Sequence, residues 1–161
     1  GMKRPALKSS TKNEFASILD GSYFGDNFDA MQAYGHVKYV ATMWMSSLAR
    51  KYSQIKFISI SPGATTGTAA ANDLPLINKI MFKYIMMPVV MPMMGMVHSL
   101  EKGASRFVNA LEDESLESGK FYASYNEKVT GPIMDQGSIF PDLYNKSYQD
   151  NAAAAISQFV N

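Results

Sequence analysis

The chain contains no cysteine among its 161 residues, which excludes disulfide bonds and thiolate metal sites and fits a reducing compartment such as the cytoplasm. The formal net charge is only +1, so no overall field attracts nucleic acid or an anionic membrane. The hydrophobic content of 47% and the charged content of 18% are those of a globular protein rather than a disordered one. The length is sufficient for one domain with a substantial core.

A long, uninterrupted apolar run is also lacking. The most apolar stretch, residues 80–97 (IMFKYIMMPVVMPMMGMV), contains Lys83, two prolines and a glycine, and is too short and broken to predict a membrane span. The N-terminal sequence GMKRPALKSS is positively charged but has no apolar core behind it, so no signal peptide is predicted. These absences predict a cytoplasmic protein without a membrane span. The methionines between 81 and 96 are expected to fill a core or to line a substrate lid.

The order of the predicted elements indicates an α/β fold with a parallel sheet. A helix is predicted from Asp29 or Ala30 to about Tyr52, followed by a buried strand over 55–60 that ends at Pro62 and Gly63. One or two short helices broken at the prolines are predicted over 76–97, a helix over 99–111, a second strand over 120–125, and a C-terminal helix over 141–160 interrupted near Asp150. The apolar inner face of the 99–111 helix is predicted to be Ala104, Phe107, Val108 and Leu111.

The predicted 29–52 helix carries a tyrosine and a lysine four residues apart, Tyr34 and Lys38, which lie on one helix face. A phenol has a pKa near 10, and an ammonium group close by favours its phenolate form. Such a tyrosine can donate a proton to a carbonyl oxygen or accept one from an alcohol. Taken alone, the pair is a weak signal and fits two ordinary residues on a helix flank better, because this spacing occurs by chance in many helices.

The sequence around Tyr34 and Lys38 favours a functional interpretation of the pair. The motif YGHVK at 34–38, followed by ISISPGATTGT at 58–68, resembles the C-terminal half of a short-chain dehydrogenase/reductase. The segments GDNFDAMQAYGHVK and ESGKFYASYNE are similar to the branch that contains retinol dehydrogenases and light-dependent protochlorophyllide reductase. The resemblance covers about Ser9 to Tyr125. It implies the C-terminal half of a Rossmann-like, doubly wound parallel sheet, in which ligands bind beyond the strand ends.

The resemblance also implies roles for individual residues. Tyr34 would be the acid/base that exchanges a proton with the substrate oxygen, and Lys38 would favour its phenolate and hold the nicotinamide ribose. Ser10 would bind the substrate oxygen. The residues implied to lie against the nicotinamide amide are Pro62, Gly63, Ala64 and Thr65, with Thr66 and Thr68 flanking Gly67, which stands where the family has a threonine. The implied cofactor is NADP or NAD, and the implied substrate is a small apolar carbonyl or alcohol.

The chain departs from the family pattern in one large respect. No glycine-rich turn of the kind that receives the cofactor pyrophosphate precedes Ser10 in this sequence, so the chain is expected to lack the nucleotide-binding half. We therefore expect one partial Rossmann-like domain: a polar, loop-rich lead-in over 1–28, a catalytic helix, strand, lid region, helix and strand over 29–125, and a tail with a helix over 126–161.

An exposed helix face including Met43, Trp44 and Leu48 would need cover, which predicts a homo-oligomer or another partner. An inactive, truncated remnant that serves as a self-associating or partner-binding domain is the alternative to an enzyme. His36 is expected to contact solvent or a second subunit, and His98 has no obvious partner. The sequence shows no metal site and no basic, aromatic stripe for nucleic acid.

Overall fold

The computed structural model of the chain describes residues 5–26, 28–65, 84, 91, 97–125 and 128–160. These ranges contain the helices α1 (Lys12–Asp20), α2 (Ala30–Lys51), α3 (Leu100–Glu112) and α4 (Lys146–Ile156). The strands β1 (Ser59–Ile60), β2 (Phe121–Ser124) and β3 (Ile133–Asp135) form one sheet in that order. Single 3-10 turns cover Ser22–Phe24, Gln136–Ser138 and Pro141–Tyr144. The protein is therefore mixed α/β, as the order of elements predicts.

Helix α2 begins and ends where its sequence predicts. Asp29 caps the N-terminus, because its carboxylate accepts the backbone N–H of Gln32. Arg50 and Lys51 occupy the last turn, where cations interact favourably with the helix dipole. The buried face of α2 consists of Ala33, His36, Tyr39, Val40, Met43, Ser46 and Ala49. Met43 is fully buried, so the prediction that it lies on an exposed face is wrong.

The chain divides into two compact units. One comprises Met2–Ser59, Leu116–Phe121 and Asp135–Asn161, and is here called the helical unit. Its core lies where α1, α2 and α4 pack together. The core side chains include Phe15 and Ile18 from α1, Val40 and Met43 from α2, and Ala152 and Ala155 from α4. Burial of each large apolar side chain stabilises the unit by about 1.5–3 kcal/mol, and the two alanines let the helices approach closely.

The other unit comprises Ile60–Ser115 and Tyr122–Met134, and is here called the turn unit. It contains α3, which Ser99 caps by accepting the backbone N–H of Lys102 at 3.2 Å. The buried residues of α3 are Gly103, Arg106 and Ala110, whereas the predicted inner face, Ala104, Phe107, Val108 and Leu111, is exposed. That prediction is wrong because a buried guanidinium and a glycine, rather than the apolar stripe, make the contacts of this helix.

The sheet is mixed in direction. Ser59 N donates to Lys120 O and Ser61 N to Tyr122 O, and this equal step along both strands makes β1 and β2 parallel. Only residues 125–132 separate β2 from β3, too few for a crossover, so these two strands are antiparallel. Strand β1 is much shorter than the predicted 55–60 strand, and Ile55 is half exposed.

The structure adds α1 and β3 to the predicted elements. The lead-in predicted to be loop-rich contains α1, capped by Thr11 and ended by Gly21 in the left-handed conformation. Helix α4 continues through Asp150 without the predicted interruption. The predicted helices over 76–97 and the methionine-rich lid lie almost wholly outside the described residues. Among the helices that are described, none is both long and apolar enough to span a bilayer.

Candidate active site

Tyr34 and Lys38 occupy the exposed flank of α2, in the helical unit. They are one helical turn apart, and Lys38 Nζ lies 5.5 Å from the centroid of the Tyr34 ring. Tyr34 is 49% exposed, so the residue is accessible from solvent. The two side chains therefore point the same way and interact as a cation and an aromatic ring, a contact of about 0.5–1 kcal/mol at an exposed position.

Ser10, the third predicted catalytic residue, does not end a strand. Residues 5–10 contain no strand, and Ser10 has a positive φ of 50° in the turn before α1. The Ser10 residue is buried, and its carbonyl accepts a hydrogen bond from Asn151 Nδ2 at 3.0 Å. Among the described residues, no hydrogen bond joins Ser10 to Tyr34 or Lys38. The geometry thus brings two of the three predicted catalytic residues together and gives Ser10 a role in the turn.

The backbone around Ser10 encloses the carboxylate of Glu14. The backbone N–H groups of Lys8, Ser9 and Ser10 donate to this carboxylate at 2.7, 2.9 and 2.6 Å. Burial raises the pKa of Glu14, but these three bonds and one from the Ser9 hydroxyl together lower the pKa below 4.5. Glu14 lies three residues after the cap Thr11, so this arrangement fixes the start of α1.

The predicted cofactor turn, Pro62 to Thr65, lies in the turn unit directly after β1. Most of its backbone polar groups are already bonded within this unit. Pro62 O interacts with His98 Nε2 at 2.7 Å. Ala64 N donates to Val129 O at 2.9 Å, and Ala64 O accepts from His98 N at 2.9 Å. The hydroxyl of Thr65 makes no hydrogen bond within the described part of the chain.

Gly63 is held against two side chains that the sequence did not indicate. Its φ is +76°, and a Cβ there would meet Val129 O at 2.6 Å, Arg106 Nη1 at 2.8 Å and His98 Nε2 at 3.1 Å. Only glycine fits this combination of backbone conformation and space. The one sequence signal was the Pro-Gly pair, which indicates a tight turn but not the side chains packed against it.

Arg106 joins α3 to the turn region. Its guanidinium is buried and donates to Ser61 O at 3.0 Å, Ser124 Oγ at 2.9 Å and Gly131 O at 2.6 Å. Burial lowers the pKa of Arg106, although an arginine stays protonated near neutral pH. His98 is buried as well, and its Nδ1 has no hydrogen-bond partner in the described residues. Arg106 and His98 thus fix the turn through backbone acceptors.

His36 is part of the core and does not contact solvent as predicted. It is buried on α2, its Nδ1 lies 2.8 Å from Gln32 O, and its ring centroid is 5.3 Å from that of Tyr23 and 5.4 Å from that of Phe24. His36 therefore orients α2 against the Ser22–Phe24 turn and takes no part in the exposed Tyr34–Lys38 face.

Other expectations fall in part outside the described residues. Thr66 and Thr68 are among the residues that are not described, so their predicted cofactor contacts stay predictions. Across the described ranges, no three His, Asp or Glu side chains are grouped so as to hold a metal ion. No protein-family model matches this chain, and no curated protein matches it.

Proposed function

We propose that this chain carries the proton-transfer pair of a short-chain dehydrogenase/reductase-type oxidoreductase. The reaction would move a hydride between NADP(H) or NAD(H) and a small apolar carbonyl or alcohol. Tyr34 would exchange the proton with the substrate oxygen. Lys38 would hold the nicotinamide ribose. The single observation that supports this proposal is the contact between the two side chains on an exposed helix face.

The order of elements supports the Rossmann-like part of the proposal. Strands β1 and β2 are parallel, and the chain between them contains α3, which is the connection expected of a β-α-β unit. The Pro62–Thr65 turn follows the carboxyl end of β1, where open α/β sheets bind ligands. In this proposal the chain corresponds to the C-terminal half of such a sheet.

The first test is binding of NADPH, followed by nicotinamide fluorescence. Wild-type protein should bind saturably, and Lys38→Ala should weaken binding roughly tenfold, since a charge-assisted hydrogen bond contributes about 1.5–3 kcal/mol. Lys51→Ala is the matched control: Lys51 is on the same helix, and its Nζ lies 5.2 Å from the centroid of the Tyr52 ring. This control should bind like wild type.

Tyr34→Phe separates binding from chemistry. The variant should keep NADPH affinity and lose any carbonyl reduction, because phenylalanine keeps the ring and removes the proton. Tyr52→Phe is its control. Absence of saturable binding at millimolar NADPH would refute the proposal for this chain, and equal effects of Lys38→Ala and Lys51→Ala would remove Lys38 from the site.

A self-associating or partner-binding domain is the second candidate. The observation in its favour is that apolar side chains near Tyr34, namely Phe28 just before α2 and Met31 and Val37 within it, are exposed. Light scattering coupled to gel filtration should then show a dimer that Met31→Lys dissociates. A monomer at all concentrations would exclude self-association through this face.

A further inference from the structure

A cavity of about 230 Å³ lies in the helical unit, lined by the last turns of α2, residues 118–120, Tyr144 and the start of α4. Three cationic residues, Arg50, Lys120 and Lys146, contribute to its wall. The remaining lining residues are Ser46, Ala49, Ser118, Gly119, Tyr144 and Gln149. None of the lining residues is an aspartate or a glutamate, so the wall itself contributes cations but no carboxylate.

Several donors of the wall have no acceptor in the described part of the protein. Arg50 donates through Nε to Gln149 and through Nη2 to Lys146 O and Asp150, while its Nη1 makes no hydrogen bond with the described residues. The Lys146 ammonium is exposed and forms neither an ion pair nor a hydrogen bond with the described residues. Ser118 Oγ accepts from Phe57 N at 3.0 Å, which leaves its own proton to donate. Unsatisfied donors around one cavity favour a ligand that carries only acceptors.

The wall is held in position before any ligand arrives. Arg50 Nε donates to Gln149 Oε1 at 2.9 Å, and Gln149 Nε2 donates to Leu143 O at 2.6 Å. Gln149 is buried, so this chain of bonds fixes the plane of the guanidinium. The Tyr144 ring packs on Gly137, where a Cβ would come within 2.3 Å of the ring, and Lys120 Nζ lies 5.6 Å from the ring centroid.

Carboxylates accompany two of the cations but do not line the cavity. Asp150 forms an ion pair with Arg50, and Lys120 Nζ lies 2.7 Å from Glu117 Oε1 and 3.1 Å from Asp135 Oδ2. The hydrogen bonds from Glu117 and Asp135 hold the pKa of Lys120 above its usual value, so this lysine stays charged. Lys146 has no such partner among the described residues and supplies the uncompensated positive charge.

We propose that this cavity binds a small oxyanion, with a phosphate group as the ligand, between Arg50, Lys146 and the Ser118 hydroxyl. A guanidinium offers a fork of donors that matches phosphate oxygens, and a lysine supplies a mobile charge. The volume is below the range of about 300–1,000 Å³ that drug-sized ligands occupy, and a phosphate group needs less space than such a ligand. This site is independent of the proposed oxidoreductase chemistry, since neither Tyr34 nor Lys38 lines the cavity.

The test uses inorganic phosphate as the probe, titrated into the full chain by calorimetry and by thermal unfolding, at constant ionic strength with chloride as the balancing anion. Phosphate should bind saturably and raise the unfolding temperature, whereas chloride should not. Lys146→Ala should weaken phosphate binding roughly tenfold through loss of a charge-assisted contact. Lys146→Arg should largely restore binding. Because Lys146 is exposed and unpaired among the described residues, its variants should unfold like wild type without phosphate.

Two controls make the result specific. Lys51→Ala removes a charge at the end of α2, next to Arg50 but outside the cavity wall, and Lys38→Ala removes one from the candidate active site; both should bind phosphate normally. A phosphate monoester, glycerol 2-phosphate, tests whether the phosphoryl group of a larger molecule binds as the free ion does. Equal responses to phosphate and chloride, or equal losses in Lys146→Ala and Lys51→Ala, would overturn the proposal.

Discussion

Two helical glycines allow a direct test of the packing described above, because the same substitution should have opposite signs at the two positions. Alanine in a helix interior is favoured over glycine by about 0.8–1 kcal/mol, since it restricts the unfolded chain. Gly35 lies in α2, and a Cβ there would meet no atom of the described residues within 4 Å outside the helix backbone and the neighbouring residues. Gly35→Ala should therefore raise the free energy of unfolding by about 0.5–1 kcal/mol.

Gly103 lies in α3 and has the same intrinsic preference for alanine, but its Cβ would lie 2.2 Å from Thr65 Cγ2. This distance is far below ordinary contact, so the turn or the helix must shift, and such overpacking costs about 1–3 kcal/mol. The steric cost exceeds the helical gain over most of this range. We expect Gly103→Ala to lower the free energy of unfolding by up to about 2 kcal/mol.

Thr65→Ser provides the decisive background, because it removes the methyl group that clashes. The other nearest atoms, Pro62 O and Thr65 Cβ, would each lie 3.5 Å from the Cβ of an alanine at this position, which is an ordinary contact. Urea denaturation of the four proteins in this cycle should give a coupling free energy of about 1–3 kcal/mol. If Gly103→Ala stabilises the protein as much as Gly35→Ala does, or if Thr65→Ser leaves its cost unchanged, the contact between α3 and the turn is wrong.

Three further predictions concern the turn and the start of α1. Gly63→Ala should destabilise the protein more than Gly131→Ala. Both glycines have a positive φ, which costs a residue with a Cβ about 1–2 kcal/mol, but among the described residues only the Cβ at position 63 would also clash with its neighbours. Equal losses of unfolding free energy in urea denaturation would refute this prediction. Glu14 has a lowered pKa, so the stability that its carboxylate contributes is present above the unfolded pKa of 4.5 and is lost as the pH falls through the folded pKa. Glu14→Gln should therefore lower the free energy of unfolding at pH 7 and weaken its dependence on pH in the acid range. An unchanged pH dependence would contradict the hydrogen bonds to this carboxylate. Thr65→Val should leave thermal unfolding nearly unchanged because the hydroxyl is unbonded among the described residues, while weakening NADPH binding in fluorescence titrations if the proposed cofactor turn is correct.

The positions of the long helices could be predicted from the sequence because local signals specify them. Asp29 and Ser99 cap α2 and α3 as expected for such residues, and the observed ends differ from the predicted ones by one residue or so. Helix α1 carries a comparable signal, although the lead-in was predicted to be loop-rich. Thr11 and Glu14 have the spacing of a capping box, with Phe15 and Ile18 on one face and Gly21 at the end.

The buried faces were harder to predict, because hydrophobic periodicity assumes that the apolar stripe is the packed one. In α3 the stripe that includes Phe107 and Leu111 is exposed, while Arg106 and Gly103 point inward. Three hydrogen-bond acceptors offset the cost of burying the Arg106 guanidinium, and Gly103, which has no Cβ, lets Thr65 pack close to the helix backbone. Neither effect has a period in the sequence, so both require the partner residues to be known.

The same distinction separates the two parts of the candidate site. The contact between Tyr34 and Lys38 follows from their spacing on one helix and needs no other element, which is why the sequence could predict it. The chemistry of the Pro62–Thr65 turn depends on residues remote in sequence. Val129 O already accepts the N–H of Ala64, and His98 N donates to the Ala64 carbonyl, so a nicotinamide amide would have to displace the Val129 bond to use this N–H and would share the carbonyl with His98. The hydroxyl of Thr65 has no hydrogen-bond partner among the described residues, so recognition through this group would depend on a side chain rather than on the backbone of the Pro-Gly motif.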